Sequence, residues 1–128
     1  MLNDSKVTAN VPASDIDRAR RFYADKLGLT PADENPAGLV YTTSGGTTFF
    51  LYETEYAGLA GHTIAQWHVS DVAEEVRGLK SKGIEFEHYD MPDVTWDGDV
   101  ARMEGMGSAA WFKDSEGNIM CLDDAATG

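Results

Sequence analysis

Val11-Pro-Ala-Ser-Asp-Ile-Asp-Arg-Ala-Arg-Arg-Phe-Tyr-Ala-Asp-Lys-Leu-Gly-Leu29 is the stretch on which the fold turns. Ile16, Ala19, Phe22, Tyr23 and Leu27 recur at three- and four-residue intervals, which puts them on one face of an α-helix. Ser14 or Asp15 can cap that helix by accepting bonds from its orphan N–H groups. Gly28 stands where it should end, because glycine enters the left-handed conformation at little cost. Just upstream, Val7-Thr8-Ala9-Asn10-Val11 alternates as a half-buried strand does.

Moving outward, the same order recurs. Thr63-Ile64-Ala65-Gln66-Trp67-His68-Val69 is a strand pattern, followed by Ser70-Asp71, 56 residues after Ser14-Asp15. Val72, Val76 and Leu79 then line one helix face, and Gly83 follows. Each helix precedes a hairpin signal: Leu39–Thr43 and Thr47–Tyr52 flank Ser44-Gly45-Gly46, and Ala109–Lys113 and Asn118–Leu122 flank Asp114–Gly117. Weaker strand material lies near Leu29–Asn35 and Ile84–Asp90. The expected class is α+β in a single domain of residues 1–128, with one βαβββ module at about 5–56 and a second at about 62–124. Met91–Gly107 is extra in the second half and reads as a long loop with apolar side chains, either a lid or a cover for a core edge.

Strand faces alternate. Val7, Ala9 and Val11, with Ala65, Trp67 and Val69, suit the helix-packed side. Thr8, Asn10, Ile64, Gln66 and His68 fall on the opposite side, where two curled sheets can enclose a hollow.

Composition narrows the class of partner. The net charge of −12 repels phosphate backbones, so nucleic acid is not an expected partner. It keeps the protein soluble and attracts cationic small molecules. Cys121 is the only cysteine, so no internal disulfide forms, and no stretch is apolar enough to cross a bilayer. The polar opening, Met1–Asn10, is unlike a signal peptide. The expected location is the cytoplasm, without a membrane partner.

The opening stretch resembles that of the vicinal oxygen chelate superfamily, which includes glyoxalase I, extradiol dioxygenases, fosfomycin-resistance enzymes and bleomycin-resistance proteins. Ala110-Trp-Phe-Lys-Asp-Ser-Glu-Gly-Asn-Ile-Met-Cys-Leu122 resembles its closing hairpin. The resemblance covers nearly the whole chain, least at Met91–Gly107. It implies paired βαβββ modules in a U-shaped, mostly antiparallel sheet around a concave ligand cavity. It also implies a homodimer with sites near the subunit boundary.

Enzymes of that superfamily hold a divalent metal with His, Glu or Gln from the concave sheet. Carried over one at a time, those positions fall on Thr8, on Phe50 (or Tyr52, if the turn is one pair shorter), on Ile64 and on Cys121. Phe50 and Ile64 have no donor atom, Thr8 is a poor ligand, and Cys121 alone makes no site. His62 and Glu53 are the nearest replacements, and a one-residue slip turns Glu53 away from the hollow. No metal or other cofactor is therefore expected. No phosphate-binding glycine loop is present either.

The hollow is expected to be mostly apolar, with a few hydrogen-bonding groups. Its candidate ligand-binding residues are Thr8, Asn10, Phe50, Tyr52, Ile64, Gln66, Trp96, Met103, Met106, Trp111 and Cys121. Such a lining suits a flat aromatic molecule, cationic ones included. Two functions follow. The first is a non-catalytic protein that binds and sequesters an aromatic, antibiotic-like molecule, as in drug self-resistance. The second is a metal-dependent or metal-free enzyme of the lyase or dioxygenase type, with Glu53, His68 or Asp123 as acid–base candidates.

Overall fold

The computed structural model describes residues 1–125. The first half runs β1 (Ala9–Ala13), α1 (Ile16–Leu27), β2 (Asp33–Asn35), β3 (Gly38–Thr42) and β4 (Thr48–Glu53). Its sheet has the order β1-β4-β3-β2, with β1 parallel to β4 and the other pairs antiparallel. The second half runs β5 (Thr63–His68), α2 (Val72–Ser81), β6 (Phe86–Glu87), β7 (Val94–Asp97), β8 (Val100–Met103), β9 (Gly107–Lys113) and β10 (Ile119–Asp123). Its sheet order is β5-β10-β9-β8-β7, with β6 also on β9 and β5 parallel to β10. The two halves are thus repeats of one α+β unit, two βαβββ modules.

The helices start and stop as their sequences require. Asp15 accepts from the Arg18 amide at 3.0 Å and Asp71 from the Glu74 amide at 3.2 Å, each satisfying one orphan donor. Gly28 closes α1 in the left-handed conformation at φ 71°. The second helix also ends where expected: Lys82 is its cap and Gly83 follows in the left-handed conformation at φ 91°, with the Gly83 and Ile84 amides donating to the Lys80 and Leu79 carbonyls.

Two expectations need correction. Met91–Gly107 is not a loop: Val94–Asp97 and Val100–Met103 pair antiparallel as β7 and β8 about the tight turn Gly98-Asp99, and β8 joins β9. The weak strands shrink to Asp33–Asn35 and Phe86–Glu87, because only those residues find a partner in a sheet.

One core serves both halves. Val11, Ala13, Tyr23, Leu39, Tyr41 and Leu51 from the first half join Val72, Val76, Phe112, Met120 and Leu122 from the second. Phe49 stacks on Tyr41 (4.9 Å between ring centres) and meets Trp67 edge-on at 5.7 Å, so the aromatic contacts cross from one sheet to the other. Each fully buried apolar side chain of this core contributes on the order of 2 kcal/mol.

Polar bonds lock the halves at a second place. The Glu116 carboxylate, in the β9–β10 turn, accepts from the amides of Ser14 and Asp15 (both 2.9 Å) and from the Arg18 guanidinium (2.9 and 3.0 Å). It therefore sits on the N-terminus of α1, where the helix dipole favours an anion. The buried Tyr23 hydroxyl donates to Asp114 at 2.7 Å, and the Asn118 amide donates to the Pro12 carbonyl at 2.8 Å. The link between the halves passes so close to this turn that a Cβ on Gly58 (φ 77°) would lie 2.6 Å from the Glu116 carbonyl.

Candidate functional site

The strand β10 places Cys121 and Asp123 on the face turned away from the shared core, since Met120 and Leu122 point into that core. Register carries that face across the sheet: Cys121 sits opposite Gln66 and Trp111, and Asp123 opposite His68 and Ala109. Ala101 lies opposite Ala109, and Trp96 opposite Ala101. Met103, two residues after Ala101 and opposite Gly107, follows them, so Gln66, Cys121, Trp111, Trp96 and Met103, five of the residues expected to bind ligand, share one face.

Four rings meet on this face. Trp96 lies 6.2 Å from Trp111, Tyr89 meets Trp111 edge-on at 5.9 Å, and His88 stacks on Trp96 at 4.3 Å. His88 also bonds Asp99 at 2.8 Å, which holds the stack in place. The Trp111 indole N–H donates to the Thr63 hydroxyl at 3.2 Å.

Beside the rings is a polar cluster. Asp123 is 4% exposed, and its carboxylate accepts from the Gln66 amide and from His68 Nδ1, the latter at 3.0 Å. Burial is the strongest single influence on Asp123 and resists ionisation. The hydrogen bonds from Gln66 and His68 together outweigh it and hold the acid below the usual carboxylate range. Cys121 is also buried, and burial, with the Asp123 charge next, pushes its thiol up to about 12. A thiol so placed packs rather than attacks.

Ile64 departs from the expected face. Thr63 pairs with Ile119 and Ala65 with Met120, so Ile64 is the extra residue of a bulge. The bulge resets the alternation: Thr63 meets Trp111 on the outer face while Ile64 packs against the core. Thr8 lies before β1 and is exposed.

Asn10, Phe50 and Tyr52 share a face of the other sheet, where Asn10 is opposite Phe50 and Pro12 opposite Tyr52. Among the described residues, no hydrogen bond or ring contact joins these three to the aromatic row. At the far end of the aromatic face Met103 borders, with Met106, Met91 and Val94, a surface cleft of about 880 Å³, and Met106 is 64% exposed.

Between the two halves lies a further cleft of about 810 Å³. Val11, Tyr23, Phe49, Ile64, Trp67 and Met120 line it with apolar surface, and Ser44, Gln66 and His68 line it with polar groups.

Sequence reasoning misses Tyr89, His88 and Thr63 as parts of the aromatic face. It treats Asp123 only as an acid–base group, although its spacing of two from Cys121 puts both on one face.

The sequence matches the family model of the Glyoxalase/Bleomycin resistance protein/Dioxygenase superfamily over residues 7–122. The chain belongs to that superfamily. Among similar solved structures is the bleomycin resistance determinant encoded on transposon Tn5 (20% identity, 95% of this chain and 98% of that one, TM-score 0.71). Another is TnmS3, an antibiotic binding protein from Streptomyces sp. CB03234 (20% identity, 95% and 97%, TM-score 0.65). A third is a mutant of the fosfomycin resistance protein FosX from Listeria monocytogenes, complexed with Mn(II) (14% identity, 96% and 91%, TM-score 0.67). No curated protein is similar to the chain in sequence.

The superfamily includes metal enzymes, and the residues here do not fit a divalent ion. Phe50 offers no donor, Ile64 is turned into the core, Thr8 is off the sheet and the Cys121 thiol is held protonated. Among the described residues, no three His, Cys, Asp or Glu side chains stand together as a metal site. No helix there is long and apolar enough to cross a membrane.

Proposed function

We propose that the protein binds and sequesters an aromatic, antibiotic-like small molecule without transforming it, as a cytoplasmic homodimer. The observation that carries this reading is the row of rings Tyr89, Trp111, Trp96 and His88 on one sheet face, where the one family metal position, Cys121, holds a protonated thiol. Flat rings offer stacking area at low entropic cost. In the dimer, the face bearing Asn10, Phe50 and Tyr52 of one copy covers the row on the other and completes the site. The acidic surface speeds capture of a cationic ligand.

The reading is supported by the likeness to an antibiotic binding protein and to a bleomycin resistance determinant. Its test is calorimetric titration with bleomycin and a panel of aromatic antibiotics, followed by mass spectrometry of the released ligand. Tight binding, unchanged ligand and a tenfold or larger loss of affinity in Trp111→Ala support it. A chemically altered ligand, or Trp111→Ala binding as the native protein does, refutes it.

A second reading, a metal-free acid–base enzyme, rests on His68 held by a buried carboxylate, the arrangement of an oriented general base. It predicts altered ligand in the same assay and loss of turnover in His68→Ala. Glu53, the other carboxylate considered, is exposed at the end of β4, opposite Ala13.

A further inference from the structure

We propose that the cleft between the two halves is a second small-molecule site, for a planar aromatic molecule bearing a phenolic hydroxyl. This site goes beyond the sequestration reading: its apolar walls lie on the core side of the sheets, and it meets the outer face along the edge strand β5, at the polar cluster of Gln66 and His68.

The volume of about 810 Å³ is that of a small-ligand pocket. Its apolar lining includes Phe49 and Trp67, whose rings stand edge to face (87° between planes), so the wall offers both a ring face and a ring edge. The polar groups from β5 decide what the ligand must carry. Asp123 is ionised and can only accept, so one N–H of the Gln66 amide and the Nδ1 hydrogen of His68 are committed to it. That leaves the Gln66 carbonyl oxygen as an acceptor, the second Gln66 N–H as a donor, and His68 Nε2, which accepts when the ring carries a single proton. Nε2 has no partner among the described residues, and the His68 side chain is 60% exposed. A phenolic hydroxyl donates to the Gln66 carbonyl oxygen or His68 Nε2 and accepts from the free Gln66 N–H, while its ring occupies the apolar lining. The Asp123 charge behind these groups disfavours a carboxylate-bearing ligand.

The test uses 2-naphthol and its methyl ether, which share a ring system and differ in the donor. Heteronuclear NMR of the whole protein near neutral pH follows the three indole N–H signals. The expected result is that 2-naphthol moves the Trp67 signal and leaves Trp96 and Trp111 in place, with the ether binding at least tenfold more weakly. His68→Ala, an exposed substitution with little demand on folding, should reduce 2-naphthol to the affinity of the ether. Equal affinities, no Trp67 shift at millimolar ligand, or shifts confined to Trp96 and Trp111 overturn the proposal. The last outcome leaves the sequestration reading standing. Failure of bleomycin to bind leaves the cleft untouched.

Discussion

Replacing Glu116 by Gln keeps the shape of the side chain and removes its charge. The carboxylate receives two backbone amides, the Ser14 hydroxyl, the Ser115 hydroxyl and the Arg18 guanidinium. Burial opposes its ionisation more than any other single influence. The bonds from Arg18, Asp15 and Ser115 together prevail and bring it from 4.5 to about 2. At roughly 1.4 kcal/mol per pH unit the whole displacement is worth about 3 kcal/mol. Arg18 is 47% exposed, so solvent screening lowers the figure to about 2 kcal/mol. The folded state has the lower pKa. The contribution is therefore complete above pH 4.5 and fades as pH falls through about 2. Urea denaturation at pH 7 should place the midpoint of Glu116→Gln about 1 M below that of the native protein, taking a slope near 2 kcal/mol per M. At pH 2.5 the gap should shrink to less than half. A gap that stays constant between the two pH values, or a pH 7 loss under about 0.5 kcal/mol, refutes the account of Glu116 as an ionic lock.

Other outcomes follow from the same geometry. Tyr23→Phe removes the hydroxyl that donates to buried Asp114 at 2.7 Å and should cost about 1–2 kcal/mol by denaturation; no loss would mean that the bond contributes nothing. Gly58→Ala puts a Cβ 2.6 Å from the Glu116 carbonyl at a left-handed position. It should destabilise by more than about 1 kcal/mol, while Gly61→Ala, with open space around it, leaves the melting curve in place. The Cys121 thiol, buried and raised to about 12, should resist iodoacetamide at pH 8 until urea unfolds the chain; rapid labelling of native protein contradicts its placement.

The repeat and the caps are legible in the sequence because they are local. Ser14-Asp15 and Ser70-Asp71 each precede an apolar stripe of helical spacing, and both aspartates cap as their type dictates. The β7–β8 hairpin is hidden by its own turn. Gly98-Asp99, between Val94-Thr95-Trp96-Asp97 and Val100, reads with the nearby glycines and Pro92 as loop, although two residues with glycine first suffice to reverse a strand. Ile64 falls on the wrong face because alternation assumes an unbroken ladder, and a bulge leaves no mark on an isolated strand sequence. The aromatic face is half legible. Trp96 and Trp111 stand out by type, but Tyr89 and His88 join them only through packing that composition does not encode. Asp123 is separated from Cys121 when it is weighed as a catalyst alone.

Glu116 also bears on the order of events at the ribosome. The first helix emerges with the amides of Ser14 and Asp15 bare, and the group that quenches them is made about a hundred residues later. A nascent chain halted before the final turn holds an unpaired charge at Arg18 and an apolar flank awaiting Met120 and Leu122. Completion of the last hairpin is thus the step that satisfies these groups, and chaperone dependence should concentrate in the interval before it.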